Sequence, residues 1–426
     1  MRIRYILAAL ACLTAVACAP EPGAVIKKRG DGFELRIDGE PTFIKGVGGT
    51  NRLDVASAAS ANACRTWGGN IESVKRTSAL AAENGMRVMQ GISLPKDEAK
   101  YHDAEWRAKT LESCRELATT FKDDPNIFCW GIGNEVQLSG ANGEAVWGFV
   151  EELAVAIKEI APRQLVSTVV SHDKSALDSI ARYAPSLDVV GINSYGPILE
   201  VKDMVASSDY KGPYMITEWG PTGWWETDKT TWEASIEQTS DEKRQVYESR
   251  YNGAVLGDER CIGSFVFLWG QKEERTPTWF SMFVESEVEG LPLEGEKTPM
   301  VEAMQRVWSG QEPKETAPVV TAIAIDGKRP VESPTVGAGK AFKVDVTATD
   351  REQNELTYIW EVLHEATVLG FGGSYEPRPE RYGEVFTTNT PSAEITISDK
   401  GNYRVYAYVK DGTGFVSTVN SPVQVK

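Results

Sequence analysis

Two glutamates in this chain stand at the ends of apolar runs. Ile127-Phe128-Cys129-Trp130-Gly131-Ile132-Gly133 leads into Asn134-Glu135, and Tyr214-Met215-Ile216-Thr217 leads into Glu218-Trp219-Gly220. An acid that closes a buried strand is held on rigid backbone beside a dry floor, where its proton affinity can be tuned. Two such carboxyls across one gap suit cleavage of a glycosidic bond. One gives a proton to the leaving oxygen, and the other meets positive charge developing at the anomeric carbon. Each motif alone has a plainer reading: Asn134-Glu135 as a turn entering a helix, Glu218-Trp219 as a strand end with a surface acid. Only their joint placement separates the readings, and that depends on the elements around them.

Those elements alternate. Strand-like runs fall at Thr42–Val47, Asn62–Trp67, Met86–Ile92, Ile127–Gly133, Leu165–Val170, Leu187–Asn193, Tyr214–Glu218 and Ile262–Trp269, most of them bounded by Gly, Asn or Pro. Between them lie helical patterns at Glu72–Asn84 (closed by Gly85), Asp103–Phe121, Gly143–Ile160 and Ser240–Leu256. Pro299–Trp308 follows, with Pro at its first turn and Gly310 beyond its end. Eight strands, each followed by a helix or a helix-sized connection, predict an α/β fold, a (β/α)₈ TIM barrel over residues 42–310, close to the ~250 residues typical. In that fold the carboxyl ends of the strands share one mouth, so the fourth and seventh strands deliver both acids to the same place. A doubly wound sheet would announce itself with a phosphate loop, and Gly46-Val47-Gly48-Gly49-Thr50-Asn51 lacks the third glycine and any following Lys-Ser/Thr.

Before the barrel, residues 19–41 read as a tether and a hairpin turning at Asp38-Gly39. After it, residues 311–318 read as a linker, and 319–426 as a small all-β sandwich of the Ig-like or PKD-like kind. Its strands are Phe342–Thr349, Leu356–Val362, Ala393–Ile397 and Tyr403–Val409, and Trp360 is its expected core. The acidic run Glu285–Glu296 reads as a solvated loop after the eighth strand.

Composition narrows the partners. The chain has 426 residues with a formal charge of −16 and no dense Lys/Arg run, which argues against nucleic acid. Three His and no paired-Cys spacing give no metal site, and no cofactor is expected. Met1-Arg2-Ile3-Arg4 and the apolar stretch to Ala17 form a signal peptide over residues 1–18. It ends in a lipobox-like Leu13-Thr14-Ala15-Val16-Ala17-Cys18, so Cys18 is a lipidation candidate, with ordinary signal-peptidase cleavage as the alternative. The chain is thus expected to be exported, as a bacterial envelope lipoprotein whose only membrane contact is the anchor, or else secreted. Cys64, Cys114, Cys129 and Cys261 allow three pairings; for Cys64 and Cys129, in apolar runs, a buried free thiol is the commoner state. Twelve Trp hint at a grip on sugars. Trp67, Trp219, Trp224, Trp225 and Trp279 fall in or near the barrel-top loops, either as sugar-stacking walls or as core, while Trp106, Trp147 and Trp308 lie on helices as core.

These motifs together resemble the catalytic barrel of clan A glycoside hydrolases, the superfamily of family two β-galactosidase-type enzymes, many cellulases and mannanases. The matching residues are Phe43-Ile44-Lys45-Gly46-Val47, Arg65-Thr66-Trp67, Asp124-Pro125-Asn126 with Gly133-Asn134-Glu135, Gly191-Ile192-Asn193-Ser194-Tyr195, Ile216-Thr217-Glu218-Trp219-Gly220 and Phe267-Leu268-Trp269-Gly270. The resemblance implies Glu135 as general acid/base and Glu218 as nucleophile of a retaining double displacement. It further implies Asn134 on the hydroxyl beside the anomeric carbon, Arg65 holding Glu218 ionised, Tyr195 donating to Glu218, and Trp269 as the platform under the cleaved sugar. His172, just past the fifth strand, is either a substrate-binding or a capping residue. The implied partner is a β-linked oligo- or polysaccharide. A lone barrel followed by one Ig-like domain is similar to bacterial endo-β-1,3-glucanases first, and to β-1,4-glucanases, β-mannanases or transglycosylases next. The rival from another class is a non-catalytic glycan-binding lipoprotein.

Overall fold

The computed structural model describes residues 23–370 and 373–426. The expected signal peptide and the lipidation candidate Cys18 lie outside the described residues. The chain opens with a small antiparallel sheet, β1 (Ala24–Arg29), β2 (Gly32–Ile37) and β3 (Glu40–Pro41). The hairpin over residues 32–41 turns at Asp38-Gly39 as expected; β1 is an additional strand that pairs with β2.

All eight predicted barrel strands form. They are β4 (Ile44–Gly48), β5 (Ala63–Arg65), β6 (Arg87–Ile92), β7 (Ile127–Ile132), β8 (Leu165–Ser171), β9 (Val189–Asn193), β10 (Tyr214–Trp219) and β11 (Cys261–Val266), closed in the order of the chain with β11 pairing back to β4. Every ladder is parallel. Strands covered on both faces read as continuous apolar runs, and β7, β10 and β11 are buried at each of their positions. The outer helices are α1 (Leu53–Ala58), α2 (Ile71–Glu83), α3 (Ala104–Phe121), α4 (Glu144–Ile160), α5 (Lys174–Tyr183), α6 (Val201–Ser207), α7 (Ser240–Arg250) and α8 (Pro299–Ser309). Asn70 caps α2 through its side chain, and Thr239 with Glu242 forms a capping box on α7. The helix expected over 240–256 stops at Arg250, and a π turn, Tyr251–Val255, completes the span.

Inside the barrel, Ile44, Ala63, Met89, Leu165, Val189, Met215 and Phe265 share one apolar cluster with Ala24, Leu35 and Ile37 of the first sheet. That sheet therefore stoppers the amino-terminal mouth and leaves the carboxyl-terminal mouth for chemistry. A groove of about 650 Å³ beside the stopper, lined by residues such as Phe33, Pro41 and Cys261, is far from both acids along the strands. Cys64, Cys114, Cys129 and Cys261 are buried free thiols, and burial pushes those of Cys64, Cys114 and Cys261 up to about 12.

The C-terminal part is a two-sheet sandwich. One sheet holds β12 (Val319–Ile325), β14 (Ala341–Thr349) and β17 (Ser392–Thr396). The other holds β13 (Thr335–Val336), β15 (Thr357–His364), β16 (Phe386–Thr388), β18 (Gly401–Lys410) and β19 (Val416–Val425). Trp360 is fully buried in the core the two sheets share, as expected, and its indole N–H donates to Thr388.

The acidic run is in part a correction. Glu287, Glu289 and Glu294 are exposed as a solvated loop predicts, but the run is also anchored: Val284, Leu291 and Leu293 pack on Ile359, Leu363, Tyr406, Tyr408 and Val416, the outward face of the five-stranded sheet. Glu285 accepts from Arg378 at 2.9 and 3.0 Å, and Glu296 pairs with Lys410. Deeper in the seam, Asn420 donates to Glu237 at 2.6 Å and Arg404 to the carbonyl of Ser235 at 2.9 Å. A run of acids becomes an interface because the other unit supplies the arginines and the apolar face beneath them.

One carboxyl in this seam is opposed only by the charge of Arg378. Both carboxyl oxygens of Glu273 are buried without a hydrogen-bond partner among the described residues. Burial, with the charge of Glu285 next, raises this acid from 4.5 to about 9. Folding therefore retains a proton that the unfolded chain releases above about pH 4.5. The stability this supplies is full below that value and is lost as pH climbs toward 9. The melting temperature of the wild type should fall between pH 5 and 9, and Glu273→Gln should flatten that slope; an unchanged slope in the variant would contradict the assignment.

Candidate active site

β7 and β10 carry Glu135 and Glu218 to the same mouth. Just past β7, Gly133 and Glu135 both take positive φ, 75° and 51°, so the chain turns sharply and the Glu135 N–H donates to the carbonyl of Val169 at 2.8 Å. A non-glycine residue in the left-handed region persists only where its surroundings hold it. Glu218 sits within β10, opposite Asn193 of β9, after a register shift that begins at Ile216.

Arg65, at the end of β5, is 2% exposed and binds three acceptors. One of its terminal nitrogens donates to the Thr217 carbonyl at 2.7 Å and to Glu218 Oε1 at 3.0 Å; the other donates to Asn134 Oδ1 at 2.6 Å. Since a guanidinium only donates, the Asn134 amide must present its oxygen here, which leaves its Nδ2 as the donor it can offer elsewhere. Asn193 extends the chain. Its Nδ2 donates to Asn134 Oδ1 at 3.2 Å and to Glu135 Oε1 at 3.1 Å, while its Oδ1 accepts from Thr217 at 2.8 Å. Glu218, Arg65, Asn134, Asn193 and Glu135 thus form one continuous network across β10, β5, β7 and β9.

Two further groups address Glu218. The indole N–H of Trp67 donates to Oε1 at 2.6 Å, and the Tyr195 hydroxyl meets Oε2 at 3.4 Å. Burial, then the charges of Glu218 and Glu135, raise the Tyr195 phenol, so it remains a donor. Glu135 is raised above the ordinary carboxyl value, first by burial and then by the Glu218 charge. Lys96, 3.6 Å away, the Asn193 hydrogen bond and Arg65 pull the other way. The site therefore holds one carboxylate in a buried ion pair and one carboxyl biased toward its protonated form.

The tryptophans divide differently from expectation. Trp67 is a hydrogen-bond donor to Glu218 rather than only a wall. Trp269 is fully buried: its backbone N–H bonds the Gly48 carbonyl, its indole N–H bonds the Arg52 carbonyl, and its ring packs on Phe283 and Trp308. It offers no face to a sugar. β11 ends at Val266, and the strand alternation that would place Trp269 in the mouth does not continue beyond it. Phe267 occupies the mouth instead, edge-on to Trp67 at 5.9 Å and to Tyr195 at 6.2 Å, with Phe280 at 5.8 Å behind it. Trp219 is also fully buried, turned outward against Tyr247 and Tyr251 of the helical layer. Trp279 is enclosed beside Phe267 and Phe280, its N–H on the Thr222 carbonyl. Of the five loop tryptophans, Trp224 is half-buried and Trp225 is 48% exposed.

His172 lies past β8, with Nδ1 3.0 Å from the Ser194 hydroxyl. Burial lowers its pKa against the opposing pull of Glu200 and Asp173, so it is neutral at pH 7. Asn193, Lys96 and Phe267 were not singled out from the sequence. Asn193 had a signal, since a polar residue closing an apolar strand is what marked Glu218. Lys96 sits on a loop with no period to read, and Phe267, expected inside a strand running to Trp269, lies one residue past the end of β11. Among the described residues no cluster of His, Cys, Asp and Glu could hold a metal ion, and no helix is long and apolar enough to cross a membrane.

The coupling between the acids is measurable without substrate. Glu218→Gln removes the second-largest cause of the raised Glu135 pKa, so the Glu135 carboxyl should titrate lower than in wild type while burial keeps it above 4.5. Carbon-13 NMR of labelled Glu would read this, and an unmoved Glu135 titration would mean that the two charges do not sense each other.

The chain matches no protein-family model and no curated protein. Solved structures do match. β-Glucuronidase 2 of Bacteroides uniformis aligns at 12% identity and TM-score 0.50, over 95% of this chain and 48% of that one. A β-glucuronidase from an uncultured Clostridium sp. aligns at 16% identity and TM-score 0.51, over 68% and 54%. That of Ruminococcus gnavus, in complex with C6-substituted uronic isofagomine, aligns at 14% and 0.51, over 67% and 52%. The chain spans about half the length of each, and at such identities what it shares with them is the fold.

Proposed function

We propose that the protein is a retaining β-glycoside hydrolase acting on a β-linked polysaccharide, with a β-glucan, and β-1,3-linkages first, as the favoured substrate. The observation that carries this reading is the opposed state of two carboxyl groups in one hydrogen-bonded network, Glu218 ion-paired to Arg65 and Glu135 raised by burial and by the Glu218 charge. Glu218 attacks the anomeric carbon while Glu135 protonates the departing oxygen, which leaves a glycosyl ester on Glu218. Esterification removes the Glu218 charge, so Glu135 loses that share of its proton affinity. It then takes a proton from the water that attacks the ester. Asn134 Nδ2 is directed as a donor to the neighbouring hydroxyl, and Phe267 replaces Trp269 as the apolar floor.

A neutral sugar is favoured over the uronic acids implied by the names of the matched structures. A uronate needs a cation, and Arg65 and Lys272 each already face a protein carboxylate, that of Glu218 and Glu274. The same glutamates would serve a β-1,4-glucanase, a β-mannanase or a transglycosylase. Retention of both acids with Asn134 and Arg65 argues against a purely glycan-binding lipoprotein, since binding alone needs no such pair. Export through residues 1–18, with a lipid anchor at Cys18, belongs to the same proposal.

The test is turnover on β-1,3-glucan, β-1,4-glucan, β-mannan and an aryl β-glucuronide. Glu135→Ala should cost about a hundred- to ten-thousandfold in kcat, with azide rescue on an activated glycoside. Glu218→Ala should be inactive, and NMR of the first product should show the β-anomer, as for carboxyls about 5–5.5 Å apart. Activity surviving Glu218→Ala would remove the mechanism, and no turnover on any glycan would favour the binding protein.

A further inference from the structure

An aromatic wall leads from Glu218 away from the acids. Tyr195, whose hydroxyl meets Glu218, stands edge-on to Trp225 at 5.5 Å, and Trp225 stands edge-on to Trp224 at 5.2 Å. Nearly half of Trp225 is open to solvent, an indole face of the kind that sugar C–H groups cover. Trp224 is fixed from below. Its N–H donates to Glu274 at 2.9 Å, and the Arg275 guanidinium lies 3.6 Å over its ring.

Arg275 is in turn held by the sandwich. Glu376, from the segment after β15, accepts from the Arg275 backbone N–H and from its guanidinium, both at 2.8 Å. Its Oε1 also accepts from the Gly370 N–H at 2.8 Å, which ties the carboxylate into its own loop. The Glu376 side chain is 1% exposed. Arg275 has φ 64°, a conformation a non-glycine residue keeps only when its partners hold it, and here one carboxylate grips both its backbone and its side chain. Tyr375, the neighbour of Glu376, is 85% exposed, so the same loop also offers an aromatic face to solvent.

We infer that the sandwich is a working part of the binding cleft: Glu376 is a positioning residue that, through Arg275, sets Trp224 and Trp225 as a platform for sugar units beyond the one cleaved. The inference rests on the glycosidase reading for its ligand class, and it commits the substrate to an extended chain rather than a monoglycoside.

The experiment measures calorimetric binding of β-1,3-gluco-, β-1,4-gluco- and β-mannohexaose to the full chain, together with kcat and KM on whichever is turned over. Glu376→Ala should weaken hexasaccharide binding about tenfold and raise KM with kcat nearly kept. Glu376→Gln, which retains one acceptor, should recover part of the loss. Trp225→Ala, a change at a half-exposed position away from the seam, should lose affinity similarly, and the double variant should lose less than the sum. Should Glu376→Ala not fold, Glu376→Gln carries the cycle. Wild-type affinity in a folded Glu376 variant, strictly additive losses, or a wild type that binds no hexasaccharide would overturn the inference. A wild type that binds hexasaccharide through Trp225 and Glu376 without cleaving it would overturn the glycosidase reading alone.

Discussion

The site depends on one buried guanidinium. Arg65 is enclosed at the end of a strand three residues long, where an uncompensated charge would cost several kcal/mol. Burial lowers its pKa and the Glu218 carboxylate opposes that, so cation and anion require each other. The planar fork also fixes directions. With one edge on Glu218 and the Thr217 carbonyl and the other on Asn134, it sets β5, β7 and β10 in register at their carboxyl ends, which a point charge on a flexible stem would not do. Asn193 carries that register on to Glu135.

The two glutamates differ because their surroundings differ, not because of anything in the residue. Glu218 receives a guanidinium, an indole N–H and a phenol, all donors that suit an anion. Glu135 receives one amide and a more distant ammonium in a buried position that faces the first anion. The charge of the first acid is thus itself one of the causes that raise the second.

The sandwich is bound to the barrel by polar groups as much as by apolar area. The long strands β15, β18 and β19 of its five-stranded sheet are buried on both faces. On β15, Tyr358, Trp360 and Val362 face the sandwich core, while Ile359, Glu361 and Leu363 face the barrel side. β18 repeats the pattern, with Val405, Ala407 and Val409 inward and Arg404, Tyr406 and Tyr408 toward the barrel. Buried ion pairs are weak sources of net stability but costly to misalign, so the pairs that cross the seam, Glu285 with Arg378, Glu376 with Arg275 and Glu296 with Lys410, favour one orientation.

Taken alone, the sequence determined the eight strands, their class and the place of Glu135 and Glu218 at strand ends. Parallel strands buried on both faces are continuous apolar runs, and polar residues that end them, such as Asn134-Glu135 and Glu218, have only the mouth to enter. It did not determine α1, α5 and α6, the strands β1, β12, β13, β16 and β19, or the outward face of the five-stranded sheet. Short elements carry too few periods to register, and a strand buried on both sides does not show which partner each side meets. The burial of Trp269 and the packing of Phe267 against Trp67 and Tyr195 turned on the path of the chain beyond β11. Parts of the acidic run became an interface through Arg378, Arg381 and Lys410, about a hundred residues away. Such choices belong to tertiary structure, because charge pairing and burial depend on what packs opposite, and no local spacing records that.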